Sequence, residues 1–183
     1  MSTRGRIGLV EGDKCSSVYT HWDSYPSHNG AILADFYDEE KLRALLTMGD
    51  LSSLGDNIGL PVEVGERKGP FKGSMKVEGE SEFYYRDMNG VIAECMARVD
   101  NSFDSFIRTC RDCDAEYAYL MHNGVWYVWS YDNNEIELLT DVLDRLAAEK
   151  ESEAALLPAW HAGEGEYGEG SILLGVRLGG VRV

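Results

Sequence analysis

One dipeptide, Asn123-Gly124, constrains this chain more than any other feature. Asn-Gly is the preferred pair for a two-residue type I′ turn, which needs positive φ at both positions and whose twist matches paired strands. Residues 115–121 and 125–131 flank it as aromatic-rich runs that include Tyr117, Tyr119, Trp126, Tyr127, Trp129 and Tyr131. The sequence therefore predicts an antiparallel β-hairpin here.

A second hairpin is read near the N-terminus, from residues 4–10 and 16–22, joined by the turn-prone stretch 11–14. The period of two in its second strand places Tyr19, His21 and Asp23 on one face. It places Val18, Thr20 and Trp22 on the other, so Trp22 is expected to be buried. A helix is expected from about His28, with Ile32, Leu33 and Phe36 at helical spacing. Asp38 suits the N-cap of the next helix, Glu39 and Glu40 complement its dipole, Leu42, Leu45 and Leu46 form its apolar stripe, and Gly49 ends it. Residues 50–55 read as a helical turn or an ordered loop, and 56–79 as a long loop with room for a short hairpin. Residues 82–86 and, with a poorer pattern, 91–99 read as strands. Ser102 caps a helix with the apolar face Phe103, Phe106, Ile107 and Cys110. A last helix over 135–149 turns Ile136, Leu139, Leu143 and Leu146 inward.

This order predicts a single α+β domain over residues 1–150, a mainly antiparallel sheet with helices packed on one face. Residues 151–183 form a Gly/Glu-rich extension in which 164–170 is a spacer by composition. Its end, 171–183, is β-prone and poor in polar residues. Such a terminus either adds a strand to its own sheet or pairs with another chain, the second option giving a homo-oligomer through residues 171–183.

Charge and composition narrow the function. Asp and Glu number 32 against 17 Lys and Arg, a formal charge of −15. Binding nucleic acid directly depends on clustered cations, so that class is not expected. With 44% hydrophobic residues the charge sits on a folded body. The N-terminus lacks an apolar run of signal-peptide length and no stretch approaches a membrane span, so a soluble cytoplasmic protein without membrane association is expected.

Cys15, Cys95, Cys110 and Cys113 are too few for a disulfide scaffold and are expected as reduced thiols. Cys110-Arg-Asp-Cys113 could be drawn with Cys95 and His122 as a zinc site. Cys110, however, continues the apolar stripe of its helix, and a second C-x-x-C is lacking, so core packing is the reading and neither metal nor cofactor is expected. A redox dithiol would need its first cysteine at a helix N-terminus, whereas this pair falls at a C-terminal end.

The densest polar and aromatic cluster is His21-Trp22-Asp23-Ser24-Tyr25-Pro26. If His21 and Asp23 share a strand face, the carboxylate could orient or charge the imidazole as in an acid–base dyad. The alternative, which the local sequence favours because it supplies neither nucleophile nor metal partner, is that these residues hold a strand-to-helix corner. His21, Asp23, Ser24 and Tyr25 are the candidate binding residues on either reading. The aromatic hairpin offers a stacking platform in principle, but without interleaved Lys or Arg it reads as core plus exposed tyrosines.

The run from Tyr19 to Pro26 is followed by Asn29-Gly-Ala-Ile-Leu33 and Asp50-Leu-Ser-Ser-Leu-Gly55. Further on come Phe103-Asp-Ser-Phe106, Asp114-Ala-Glu-Tyr-Ala-Tyr-Leu120 and Trp126-Tyr-Val-Trp129. Together they resemble a family of small uncharacterised phage and prophage proteins with an HWDGYP-like motif and a DAEYxYL…WYVW hairpin. The resemblance runs over about residues 3 to 145, with Ser24 where the family has glycine. It implies a phage origin and transfers no activity. Two function classes follow as expectations. One is a phage accessory protein that binds or inhibits a host protein in the host cytoplasm, with acidic mimicry of nucleic acid as one route. The other is a small hydrolase using His21 and Asp23.

Overall fold

Two hairpins laid side by side build the centre of the sheet. In the computed structural model, which describes residues 2–59, 78–88 and 92–156, β1 (Gly5–Glu11) and β2 (Lys14–Thr20) pair antiparallel around Gly12. The second hairpin joins β6 (Tyr117–His122) to β7 (Val125–Ser130) through Asn123 and Gly124, whose φ values of 52° and 76° are those of the expected turn. The hairpins meet along β1 and β6, which run parallel with Ile7 beside Tyr119.

Short strands extend both sides. On one side β3 (Leu51–Ser53) lies parallel to the end of β2 at Thr20, and β4 (Glu82–Phe83) follows it antiparallel. β5 (Arg98–Asp100) pairs with the beginning of β2 at Cys15 to Ser17, so β3 and β5 share one edge of that strand. On the other side β8 (Ile136–Leu138) pairs antiparallel with β7. Among the described residues this is one mixed eight-stranded sheet.

The helices are α1 (Ala31–Phe36), entered through a π-helical turn at Pro26–Gly30, α2 (Glu39–Met48), the short α3 (Tyr84–Met88) and α4 (Ile92–Cys95), α5 (Phe103–Asp112) and α6 (Leu139–Leu156). Local chemistry sets their ends. Asp38 accepts from the Lys41 N–H at 2.8 Å and Ser102 from the Ser105 N–H at 3.2 Å, each capping its helix. Gly49 ends α2 with φ 83°, a conformation that favours glycine.

The α+β class holds, but the helices cover both faces of the sheet and not one. On the first face, Ile7, Val18, Tyr119 and Val128 pack with Leu33 of α1, Leu42 and Leu45 of α2 and Leu139 of α6. On the second, Phe106, Ile107 and Cys110 of α5 pack with Cys15, Ala118, Leu120 and Trp129. The reason lies in β6, where Ala118, Tyr119, Leu120 and Met121 are buried without alternation. A strand apolar on both sides needs cover on both sides.

Several short elements differ from expectation. The run 50–55 contributes strand β3, residues 82–86 are divided between β4 and α3, and 91–99 between α4 and β5. The last helix begins at Leu139, because Ile136–Leu138 is recruited to the sheet edge, which leaves Ile136 46% exposed. Residues 60–77 of the long loop, and 157–183 of the extension with its β-prone end, lie outside the described residues. Among the described residues no helix is long and apolar enough to cross a membrane.

Candidate functional site

The corner after β2 is built by backbone first. Past Thr20 the His21 and Trp22 N–H groups donate to the carbonyls of Leu51 and Ser52 in β3, at 3.2 and 3.0 Å. Asp23 then takes φ 57°, a left-handed conformation that aspartate tolerates better than most residues. Strand alternation ends there. The Ser24 N–H donates to the Thr3 carbonyl at 3.0 Å, and the π-helical turn starts at Pro26.

Two fully buried polar side chains lock this path. Nδ2 of Asn29 donates to the Trp22 carbonyl at 3.1 Å and to Ser24 Oγ at 3.3 Å. Its Oδ1 is 3.0 Å from Nδ1 of His28, the nitrogen that therefore carries the proton. From the sheet, the Tyr119 hydroxyl donates to the Ser24 carbonyl at 2.6 Å. Glycine at position 5 makes room for this packing, since a Cβ there would stand 2.7 Å from Ser24 Oγ. The buried Ser24 and Asn29 are thus paired inside the protein, and two exposed aromatic side chains flank Ser24 along the chain.

Those outward side chains are Trp22, 45% exposed, and Tyr25, 38% exposed. The burial of Trp22 expected from strand alternation is overturned, because β2 stops at Thr20 and the turn at Asp23 redirects the chain. Each aromatic is backed by an imidazole. His21 meets the Trp22 ring edge-on at 4.6 Å, and His28 meets Tyr25 at 5.7 Å.

No protein-family model, curated protein or solved structure matches this chain.

His21 and Asp23 are not brought together. Nδ1 of His21 shares a 3.0 Å hydrogen bond with the Tyr19 hydroxyl, while Asp23 is exposed and makes neither hydrogen bond nor ion pair to the ring. Burial pushes the Tyr19 phenol up to about 12, against some relief from Arg4, so the hydroxyl keeps its proton near neutral pH. Behind the pair, Asp50 accepts from the Tyr19 N–H at 2.6 Å. Desolvation raises the Asp50 carboxyl above its usual range, partly countered by that N–H and by Arg6. Ser24 is buried and structural, so it presents no hydroxyl to solvent. Of the four candidates, His21, Asp23 and Tyr25 reach the surface and Ser24 fixes them there.

Reading the sequence missed Asn29, Asp50 and Tyr119, the residues that hold the corner from behind. Asn29 lies in the motif itself, and an amide just inside a helical turn after Pro26 is a signal that could have been used. Asp50 and Tyr119 carry no local signal, because their partners are 31 and 95 residues away.

Of the cysteines, Cys95 adjoins this cluster through its carbonyl, which accepts from the Asp50 N–H at 2.6 Å. All four are free, Cys15, Cys95 and Cys110 are buried, and Cys113 is half-buried with its thiol directed at the Cys110 carbonyl. Burial drives the Cys15 thiol up to about 12 and that of Cys110 higher still, which suits inert core residues.

Proposed function

We propose that this chain is a phage accessory protein that acts by binding a host protein, and that Trp22 and Tyr25 are its principal contacts. The observation that carries this reading is the corner itself: two large exposed aromatics on a backbone whose turning groups, Ser24 and Asn29, are fully buried and hydrogen-bonded. Trp and Tyr dominate binding hot spots, and a side chain already held in place loses less freedom on association. His21 and His28 add donors at the rim of the patch. The net charge of −15 favours a partner with a basic surface, including one whose ordinary ligand is nucleic acid, because complementary fields speed encounter and disfavour wrong partners.

The test is affinity capture from host lysate with the full chain and with Trp22→Ala/Tyr25→Ala, each at low and high salt. The wild-type chain is expected to retain a discrete protein that the double variant loses at least tenfold, while both melt alike. A partner lost with salt but indifferent to the two aromatics would move the contact to the acidic surface and away from the corner.

A further inference from the structure

The sheet ends at β8, which pairs with β7 and has no strand on its other side among the described residues. This edge is unusually apolar for one left open. Ile136 and Leu138 stand opposite Trp129 and Tyr127, so all four share the α5 face of the sheet, yet Ile136 is 46% and Leu138 38% exposed. A groove beside them runs between β8 and α5, lined by the apolar Phe103, Ile107, Trp129 and Ile136 and by the charged Asp104, Arg108 and Arg111. Glu137, between the two apolar residues, points to the opposite face, where Arg145 of α6 donates to its carboxylate at 2.9 and 3.1 Å. Asp141 and Glu149 of α6 lie within electrostatic reach of the same arginine. An exposed apolar edge is an aggregation hazard, which native proteins cover, charge or cut short.

We propose that the occupant of this edge is the chain's own C-terminal segment, residues 171–183, added to β8 as a further strand. Three features of the chain select it. The first is pattern: Val176-Arg177-Leu178 is apolar-basic-apolar, the counterpart of Ile136-Glu137-Leu138 in the three-residue β8. In a strand paired with β8, Val176 and Leu178 extend the apolar surface over the groove. The pleat then turns Arg177 to the α6 face, toward Glu137, Asp141 and Glu149. The second is charge, since residues 171–183 contain two arginines and no acidic side chain, on a body that is strongly acidic.

The third is reach. α6 starts directly after β8 and is 18 residues long, so it carries the chain at most about 27 Å from that strand. The fourteen residues 157–170 span up to about 46 Å when extended, enough to return. The other edge strands are poorer seats. β4 at the far end of the sheet has two residues, and β5 has Arg98 and Val99 exposed and Asp100 buried, so neither offers the apolar-acidic-apolar triplet of β8.

Hydrogen exchange read by mass spectrometry on the full chain, with light scattering for mass, tests the pairing. The comparison is with the full-length variant Val176→Asp/Leu178→Asp, whose changes lie outside the body, and with Arg177→Glu. Peptides covering residues 136–138 and 171–183 are expected to be protected together in the wild-type monomer. The double variant should exchange at least tenfold faster in both, and Arg177→Glu should do so to a smaller extent. Unchanged exchange at β8 in the double variant, or exchange of 171–183 at the rate of an unstructured peptide, overturns the proposal. A dimeric mass whose dissociation on dilution releases both regions also overturns it, because the occupant is then the segment of a second copy.

Discussion

The two faces of the sheet use alternate residues of the same strands, yet they settle burial differently. The first face meets three helices, and its core is a continuous cluster in which Ile7, Val18, Leu33, Leu42, Leu45 and Leu139 are wholly buried. Its large polar rings reach partners, as when Trp126 Nε1 donates to the Tyr37 carbonyl at 3.0 Å. The second face meets mainly the ten-residue α5. Charge is buried beside its apolar cluster. Arg6 is 5% exposed and donates to Ser17 Oγ and to the Ser17 carbonyl, and Asp100 is 2% exposed with Oδ2 unpartnered among the described residues. One short helix covers only the middle of a sheet. The flanks of the second face therefore hold the Tyr19–His21–Asp50 cluster at one end and, at the other, the apolar edge of β8, which has no outer neighbour among the described residues. The larger continuous core lies on the first face, whose Tyr119 also holds the Trp22–Tyr25 corner through Ser24, while the second face carries the buried charges and the β8 flank.

The strongest challenge to that division is a cavity on the first face. Leu45→Ala, at a fully buried position, is expected to cost about 2–5 kcal/mol by denaturant unfolding. A loss under 1 kcal/mol would mean that the face is not the main source of stability. Next is the bolt behind the corner. Asn29→Ala removes the donors to Trp22 and Ser24 and leaves buried acceptors unpaired, so about 1–3 kcal/mol should be lost, with partner capture falling alongside.

Trp22→Ala should be milder for folding, under about 1 kcal/mol, because nearly half of the side chain already meets solvent. A loss as large as that of Leu45→Ala would place Trp22 in the core after all. The smallest effect is expected at Asp50. Its carboxyl is raised in the folded state, so the ionised form opposes folding, and this cost is absent at low pH and develops as pH rises through the folded pKa. Asp50→Asn keeps an acceptor for the Tyr19 N–H without the charge. The variant should melt slightly above wild type at pH 7, with the gap closing as pH falls below the carboxylate range. A gap that widens in acid would show that Asp50 is stabilised by its charge, contrary to the desolvation argument.

What could be read in advance was local. The turn at Asn123-Gly124, the caps at Asp38 and Ser102 and the stop at Gly49 all rest on interactions within a few residues, and each stands where its residue type demands. The corner was half legible. A dense run around His21 marked the place, but a strict period of two carried through Asp23 would have buried Trp22 and joined His21 to Asp23. The backbone turns at φ 57° instead, and His21 bonds to Tyr19.

Short strands were the least legible elements. β3, β5 and β8 have three residues each, too few for a period to register, and each exists because a longer strand already offers an edge. By itself, then, the sequence determined the two hairpins, the capped helices, the acidity of the body and the position of the corner. Tertiary structure alone decided that β1 runs parallel to β6, that α5 crosses to the second face, that Trp22 looks outward and that β8 is the last strand on its side among the described residues. The reason is physical. Turns and caps are settled by neighbours along the chain, whereas pairing, facing and edges depend on which surfaces remain uncovered once distant segments have met.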